Sequence, residues 1–363
     1  MTPEHWAELS DNALASTMFV YALAMLAHSA EWALARRLVT QPLMTQPVMT
    51  QPLMTQPEVT GARTAQPVAA FDGLHSSSTT QSVADSSVSA AQPEPSPGSN
   101  PPPERDDDER AERYGRIGLS LTVLGAVLHA AGVFARGAAA ERVPWGSMYE
   151  FAITGSLAVA VVYLILVLRH GVRWMGLLVT GFLVAVLGVG VVALYRPAAP
   201  LVAALNSYWI VIHVSAAVIA SGAFAVGAIC SILFLKRQRM ESAAASDPGA
   251  LRTGFLWRMP PASNIDQVSY RVHAFAFPVW TFTVLTGASW ADEAWGRFWG
   301  WDPKEVWAFI TWVVYAAYLH ARATAGWHGR GAAYIALAGY ATFLFNFVGI
   351  NLLGSGLHAY SGM

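Results

Sequence analysis

Long apolar runs alternate with short polar segments over most of the 363-residue chain. Eight of these runs reach about 20 residues, the length that a helix needs to cross the apolar core of a bilayer. Their expected limits are 14–35, 116–135, 148–168, 174–195, 208–235, 272–291, 304–321 and 331–351. The pattern therefore predicts an all-α fold, that of a polytopic integral membrane protein with about eight transmembrane helices.

One stretch, residues 38–112, breaks this pattern. It opens with four copies of a pentapeptide that begin at Thr40, Thr45, Thr50 and Thr55, and it ends in the charged run 104–113. Regularly spaced prolines disfavour helix and sheet, and little apolar surface is present to offset the entropy of ordering. We predict a disordered cytoplasmic linker here, between an N-terminal transmembrane helix (1–37) and a seven-helix membrane domain (113–363).

Composition agrees with a membrane protein. Hydrophobic residues make up 54% of the chain and charged residues 12%, whereas soluble domains carry about 25% charged residues. Cys230 is the only cysteine, which excludes intramolecular disulfides and CxxC redox chemistry. The first apolar run is long and lacks a basic flank, so we expect a retained span and not a cleaved signal peptide. The net charge of −1 gives no reason to expect a nucleic-acid partner.

Lysine and arginine are distributed unevenly across the predicted loops. With the N-terminus outside, the inner loops hold 17 of the 22 basic residues, and the outer segments hold Arg136, Arg142, Arg196, Arg297 and Lys304. By the positive-inside rule, both termini and the segment 290–307 are expected on the outer face of a bacterial plasma membrane.

That outer segment is rich in tryptophan. Six of the 14 tryptophans fall within residues 290–312, and Trp295, Trp299 and Trp301 lie within seven residues of one another. Indole rings offer flat apolar faces with an N–H at the edge, and the glycines between them let a planar ligand approach the backbone. An interfacial aromatic belt is the alternative, but a belt distributes its rings over many helix ends.

The residues at the start of the seventh span are typical of a helix N-terminus. Asp302 is expected to N-cap the helix, with Pro303 in the first turn and Glu305 completing a capping box. The ordinary role for Asp302 is therefore that of a cap.

Two histidines flank the tryptophan segment on the predicted outer side. His213 lies near the outer start of the fifth span, and His358 follows the outer end of the last span. Imidazole is a common axial ligand of haem iron, so the pair indicates a bis-histidine haem site beside an aromatic surface. Taken singly, each histidine is more typical of a hydrogen bond to a neighbouring helix. Arg142 or Arg297 would pair with a haem propionate or contact lipid headgroups.

The other histidines divide by depth. His320 lies 17 residues beyond Pro303, or about 26 Å along a helix, which places it at the inner end of the seventh span. His28 lies at a similar inner depth in the first span. His129 lies in the outer half of the second span, and for it a structural role and a functional role are equally expected. We assign His5, His75, His170, His273 and His328 to termini, loops or span edges with solvated or interfacial surroundings.

The run from Trp295 to Glu305, with Phe298 where some relatives carry a further tryptophan, resembles the "WWD" signature of haem-handling proteins. Over nearly the whole chain outside 38–112, the arrangement is similar to the CcsA/ResC type of the system II cytochrome c maturation pathway, often named CcsB in actinobacteria. The resemblance implies that Trp295, Trp299, Trp301 and Asp302 belong to a segment that holds haem b. It further implies that His213 and His358 ligate the iron and that His320 receives haem within the membrane.

The same resemblance implies a function and partners. The protein would carry haem to the outer face and present it to apocytochrome c, whose CxxCH thiols add to the haem vinyl groups. A separate ResB-like membrane subunit and a thiol-reducing protein would complete the complex, and the resemblance implies that this complex acts as a holocytochrome c synthase. The ResB-like subunit, more than His28, would supply the partner of His320.

Three alternatives stay open. A haem exporter or chaperone without ligation activity shares the signature but is shorter. A b-type electron-transfer cytochrome needs paired histidines but no tryptophan surface. A proton- or solute-coupled transporter is weaker still, because no repeat of the spans is apparent.

Overall fold

The computed structural model describes residues 1–35, 103–199, 207–247, 255–324, 326–353 and 356–358, which belong to one compact unit. In order, the helices are α1 (Pro3–Ala35), α2 (Pro103–Ala140), α3 (Met148–His170), α4 (Gly176–Val189), α5 (Tyr208–Ser246), α6 (Phe255–Arg258), α7 (Ala262–Trp295), α8 (Pro303–Thr324), α9 (Arg330–Leu344) and α10 (Ile350–Leu353). A 3₁₀ turn, Arg173–Met175, precedes α4, and π-helical turns follow α4 (Gly190–Leu194) and α9 (Phe345–Gly349). The described residues contain no strand, so the all-α prediction is confirmed.

Six of the eight predicted spans each fall within one helix, and the other two, 174–195 and 331–351, fall on α4 and α9 with their adjoining helical turns. Among the described residues, six helical stretches are long and apolar enough to cross a membrane: α1, most of α2, α3, α4 with its flanking turns, α5, and α9 continued through α10. The chain is therefore a multi-pass membrane protein. The two predicted spans outside these six stretches lie on α7 and α8, which carry charges such as Asp266, Arg271 and Arg322. Their crossing stays a prediction.

The start of α2 differs from the expectation. The helix begins at Pro103, so residues 103–112, assigned to a disordered linker, are helical. Acidic and basic side chains pair one turn apart here, as between Arg110 and Asp107 at 4.0 Å and between Glu112 and Arg116 at 3.1 Å, and such pairs favour an exposed helix. The remaining linker prediction, 38–102, lies outside the described residues.

The α1–α2 pair is joined through glycines. Large side chains one heptad apart on α1 face glycines on α2: Leu14 faces Gly132, Tyr21 faces Gly125 and His28 faces Gly118. A Cβ at any of these glycines would lie 2.6–2.9 Å from the facing side chain. Small residues thus let the two antiparallel helices approach closely, as is common between helices in membranes.

Helix α5 lies at the centre, with 83% of its most apolar window buried and with α3, α7 and α9 packed against it. Histidines and glycines alternate across the α5–α7 contact. His213 of α5 packs on Gly287 of α7, and His273 of α7 packs on Gly227 of α5. The solvated or interfacial surroundings predicted for His273 were wrong, because its side chain is fully buried between these helices and Tyr315 of α8.

Candidate functional site

The site begins with His213, in the second turn of α5. Ser207 caps this helix, and its hydroxyl accepts a hydrogen bond from the backbone N–H of Trp209 while donating to Glu293 near the end of α7. The Nδ1 atom of His213 lies 2.9 Å from the carbonyl oxygen of Thr283. Because a carbonyl only accepts, Nδ1 carries the proton, and the lone pair of the neutral ring is at Nε2.

The absence of a side chain at Gly287 makes this contact possible. A Cβ there would lie 2.7 Å from Cε1 of His213, so only glycine lets the imidazole reach the backbone of α7. The ring of Trp290, one turn further along α7, stacks on the imidazole at 6.0 Å between centroids and 15° between planes. Helix α7 therefore fixes the ring of His213 by its backbone, a glycine and an indole.

A tight turn joins α7 to α8. Helix α7 ends at Trp295 and is capped by Gly296, which has φ of 69° and donates its N–H to the carbonyl of Asp292 at 2.8 Å. The predicted capping box is present: Asp302 accepts from the backbone N–H of Lys304 at 3.0 Å, and Glu305 accepts from that of Asp302 at 3.1 Å. Glu305 also accepts from the backbone N–H of Gly300 at 2.8 Å, so one carboxylate holds two points of the turn.

Asp302 has a second role that capping does not require. Its Oδ1 lies 2.8 Å from Nδ1 of His358, and its Oδ2 accepts the backbone N–H of Leu357 at 2.7 Å. Burial raises the pKa of Asp302, but the hydrogen bond and charge of His358 and the two backbone N–H donors outweigh it and lower the pKa to about 2. Asp302 is therefore ionised and orients His358.

Both histidines line one cavity of about 200 Å³ at the ends of the helices. Its wall is mainly aromatic and apolar, and includes Trp145, Phe151, Trp280, Trp290, Trp295, Phe298, Trp299 and Phe347. The ring centroid of Trp290 lies 6.0 Å from that of His213 and 5.7 Å from that of His358. Trp295 packs edge-on against His358 at 5.0 Å. His213 from α5 and His358 from the segment after α10 thus both contact the indole ring of Trp290.

The predicted site residues separate into those that reach the cavity and those that do not. His213, His358, Trp295 and Trp299 line it. Trp301 does not: its backbone has φ of 59°, and its ring is 71% exposed with an edge contact to Trp299. Asp302 is not among the lining residues and contacts the cavity only through His358.

His320 lies apart from this cavity, on an exposed part of α8. His28 is fully buried, with its ring against Gly118 and Gly176 and its Nδ1 3.2 Å from Glu31. The contacts that the structure describes do not bring His28 to His320.

His129 also packs inside the α1–α2 contact, 3.5 Å from the hydroxyl of Tyr21.

Arg142 and Arg297, the two arginines expected to pair with a haem propionate or to contact lipid headgroups, contact other groups of the protein. Arg142 donates to Glu150 at 2.8 Å and to the carbonyl of Ala199, and Arg136 donates to the same buried Glu150 at 3.1 Å. The side chain of Arg297 packs against Gly300. Neither Arg142 nor Arg297 lines the cavity.

Sequence reasoning missed Trp280, Lys304, Asn346 and Asn351 as cavity residues. Trp280 and Asn346 lie inside apolar helices, where a single polar or aromatic residue gives no sign of which way it faces. Lys304 had a usable signal, because it follows the capping residue by two positions and stands on the outer side by charge distribution.

These features define an all-helical, multi-pass membrane protein with two oriented imidazoles in an aromatic cavity at its helix ends. Residues 145–358 match the family model described as cytochrome C assembly protein. Both limits of that match, Trp145 and His358, line the cavity.

Curated relatives agree, and each of the following is named cytochrome c biogenesis protein CcsA. The protein of Picosynechococcus sp. is 32% identical over 68% of this chain and 87% of its own length. That of Guillardia theta is 40% identical over 46% of this chain and 58% of its own length, and that of Chlamydomonas reinhardtii is 42% identical over 46% and 44%. The chain belongs to the cytochrome c assembly protein family and is of the CcsA type, which supports a role in c-type cytochrome biogenesis.

Proposed function

We propose that this chain binds haem b as a substrate in the cavity, with His213 and His358 as the axial ligands, and presents it for attachment to apocytochrome c. The observation that carries this proposal is the position of two imidazoles in one cavity, each with Nδ1 held by a protein oxygen. A ligating histidine commonly donates its other N–H to a carbonyl or a carboxylate, which fixes the ring and the tautomer.

The donor set fits a metal that is already held by a macrocycle. Among the described residues, no three His, Cys, Asp or Glu side chains are grouped to hold a metal ion. Two imidazoles are too few ligands to hold a bare metal ion, but they are enough to occupy the two axial positions of haem iron.

The aromatic and apolar chemistry of the cavity wall suits a planar macrocycle. Trp145, Trp280, Trp295 and Trp299 present flat apolar surface around the two histidines. Such a wall excludes water from the ligand and stabilises a planar apolar ring through its faces. The protein's part is thus to bind, orient and shield; a client thiol adds across a vinyl C=C bond to form the thioether, without an oxidant.

Orientation and partners complete the proposal. The distribution of basic residues supports an outer location for the cavity, where apocytochrome c and a thiol-reducing partner protein are expected. The exposed position of His320 on α8 supports a ligand partner from another subunit, of the ResB type, because His28 is enclosed by the α1–α2 and α1–α4 contacts.

Purification with the endogenous ligand tests the central claim. The wild-type chain should show a bis-imidazole haem spectrum, and His213→Ala and His358→Ala should each lose that signature or most of the haem. His328→Ala, an exposed histidine outside the cavity, is the matched control and should leave the spectrum unchanged. Unchanged haem occupancy and axial signature in both cavity variants would refute the site.

A second variant separates the proposed function from a b-type electron-transfer cytochrome. Trp299→Ala should impair cytochrome c maturation in cells, because the ring lines the cavity. An electron-transfer protein would keep its haem and its function in this variant, and an exporter without ligation activity would still supply haem to the outer face.

A further inference from the structure

Lys304, in the first turn of α8, is the one lysine or arginine among the described side chains that line the cavity. Its ammonium donates to Oδ1 of Asn351 at 2.6 Å, and Asn351 in turn donates to the carbonyl of Phe347. An ammonium has three N–H donors, and the acceptor that the Lys304 ammonium contacts is the neutral amide oxygen of Asn351. The positive charge of Lys304 is therefore not neutralised by that contact.

The neighbouring carboxylates are engaged elsewhere. Asp302 accepts from His358, from the backbone of Leu357 and from the backbone of Lys304, and Glu305 accepts from two backbone N–H groups of the turn. Within the described part of the chain, Lys304 forms no ion pair with these carboxylates, although the charge of Asp302, two residues away, acts on it. A cation at the wall of an apolar cavity with only this partial compensation is costly unless a ligand brings further negative charge.

We propose that Lys304, with Asn351, forms a carboxylate-binding subsite of the cavity and holds a propionate of the bound haem. This inference rests on the proposed function and adds to it the group that fixes how the macrocycle is turned about its axial bonds. A charge-assisted hydrogen bond from an ammonium to a carboxylate is among the stronger polar contacts, and more so where water is excluded.

The arginines expected from sequence do not compete for this role. Arg142 is paired with the buried carboxylate of Glu150, and Arg297 packs on Gly300 and does not line the cavity. Lys304 also lies two residues from Asp302, which orients His358, so the propionate and iron sites are built on the same turn.

This placement has a consequence for attachment. In haem b the two propionates lie on one edge of the ring and the two vinyl groups on the opposite half. Holding a propionate at Lys304 therefore directs the vinyl groups away from the start of α8.

The test compares two ligands that differ only in their carboxylates. Haem-depleted full-length chain in detergent is titrated with haemin and with haemin dimethyl ester, and binding is followed by the axial-ligand absorption band. The wild-type chain should bind the free acid more tightly, on the order of tenfold. Lys304→Gln should abolish that preference while keeping the bis-imidazole band, Lys304→Arg should retain part of it, and Arg297→Gln should retain all of it.

The outcomes separate this inference from the function on which it rests. An equal preference in wild type and Lys304→Gln, or no preference in wild type, overturns the subsite while the haem site stands. A preference lost in Arg297→Gln and kept in Lys304→Gln assigns the carboxylate to Arg297 and also overturns it. If neither ligand gives a band that depends on His213 and His358, the proposed function itself fails. Should Lys304→Gln not fold, Lys304→Arg and the wild-type comparison still decide.

Discussion

The Nδ1 atom of His358 lies 2.8 Å from Oδ1 of Asp302, the residue that also caps α8. One carboxylate thus links a residue beyond the last helix to the turn that carries the tryptophans. The approach is close: a Cβ on Gly356 would overlap Oδ2 of Asp302. Capping of α8 and orientation of His358 therefore depend on the same carboxylate. The conformation of the turn before α8 thus determines where the imidazole of His358, a proposed haem ligand, is held.

Asp302→Asn should separate these two roles. Asparagine is as good an N-cap as aspartate, so α8 should remain, while the charge that orients His358 and fixes its tautomer is lost. We expect about 10- to 100-fold weaker haem binding, the usual effect of removing such a partner, with a modest fall in melting temperature from the lost contact of the ionised carboxylate. Asp302→Ala, which loses both roles, should lower the melting temperature further.

If Asp302→Asn binds haem as tightly as the wild-type chain, the contact between Asp302 and His358 does not contribute to haem ligation. Absorption titration and thermal denaturation of the same preparations distinguish the cases.

The lowered pKa of Asp302 sets a pH range for this contact. A carboxyl group whose folded pKa is depressed stabilises the fold above its ordinary pKa, and the stabilisation is lost as pH falls through the folded value. For Asp302 these values are 3.8 and about 2. The stability difference between wild type and Asp302→Asn should therefore be constant from neutral pH to about pH 4 and should decline only below that.

Thermal denaturation at several pH values measures this difference. A decline that begins near pH 6 would show that Asp302 is not held ionised in the way described.

Much of the fold follows from the apolar pattern, because a bilayer requires helices of defined length. All eight predicted runs coincide with helices, and the pattern Asp302-x-x-Glu305 predicts the cap that the structure contains. These features are local: each depends on residues within one or two turns.

What sequence reasoning missed depends on contacts between distant segments. The depth of His273 is set by Gly227, 46 positions earlier, and no local pattern indicates that pairing. The outward direction of Trp301 follows from its positive φ, which is rare for a residue other than glycine and is not encoded by its neighbours. The role of Lys304 depends on Asn351 from the end of the helical bundle.

The glycines opposite His213 and His273 offer a matched pair of variants. Gly287→Ala would place a Cβ 2.7 Å from the His213 ring, and Gly227→Ala would place one 2.5 Å from the His273 ring. Each overpacks the α5–α7 contact at a cost of about 1–3 kcal/mol. Only Gly287→Ala should also displace a proposed axial ligand, and so reduce haem affinity and alter the absorption band.

Gly227→Ala is the control, since it should lower the melting temperature by a similar amount and leave the band in place. The same spectral change in both variants would mean that general loosening of the helices, and not the His213 contact, controls the site.

The buried Glu150 joins two arginines to the segment that borders the cavity. Its carboxylate accepts from Arg136 at 3.1 Å, from Arg142 at 2.8 Å and from the backbone N–H of Gly146 at 2.7 Å. Glu150→Gln leaves two arginines without their counter-ion, which should cost about 3–5 kcal/mol and lower the melting temperature strongly. Because Gly146 and its neighbours line the cavity, haem binding should weaken too, although Glu150 itself does not line it. Glu112→Gln, which breaks an exposed pair with Arg116, should cost about 0–1 kcal/mol. Similar melting temperatures for the two variants would show that the Glu150 cluster does not support the cavity wall.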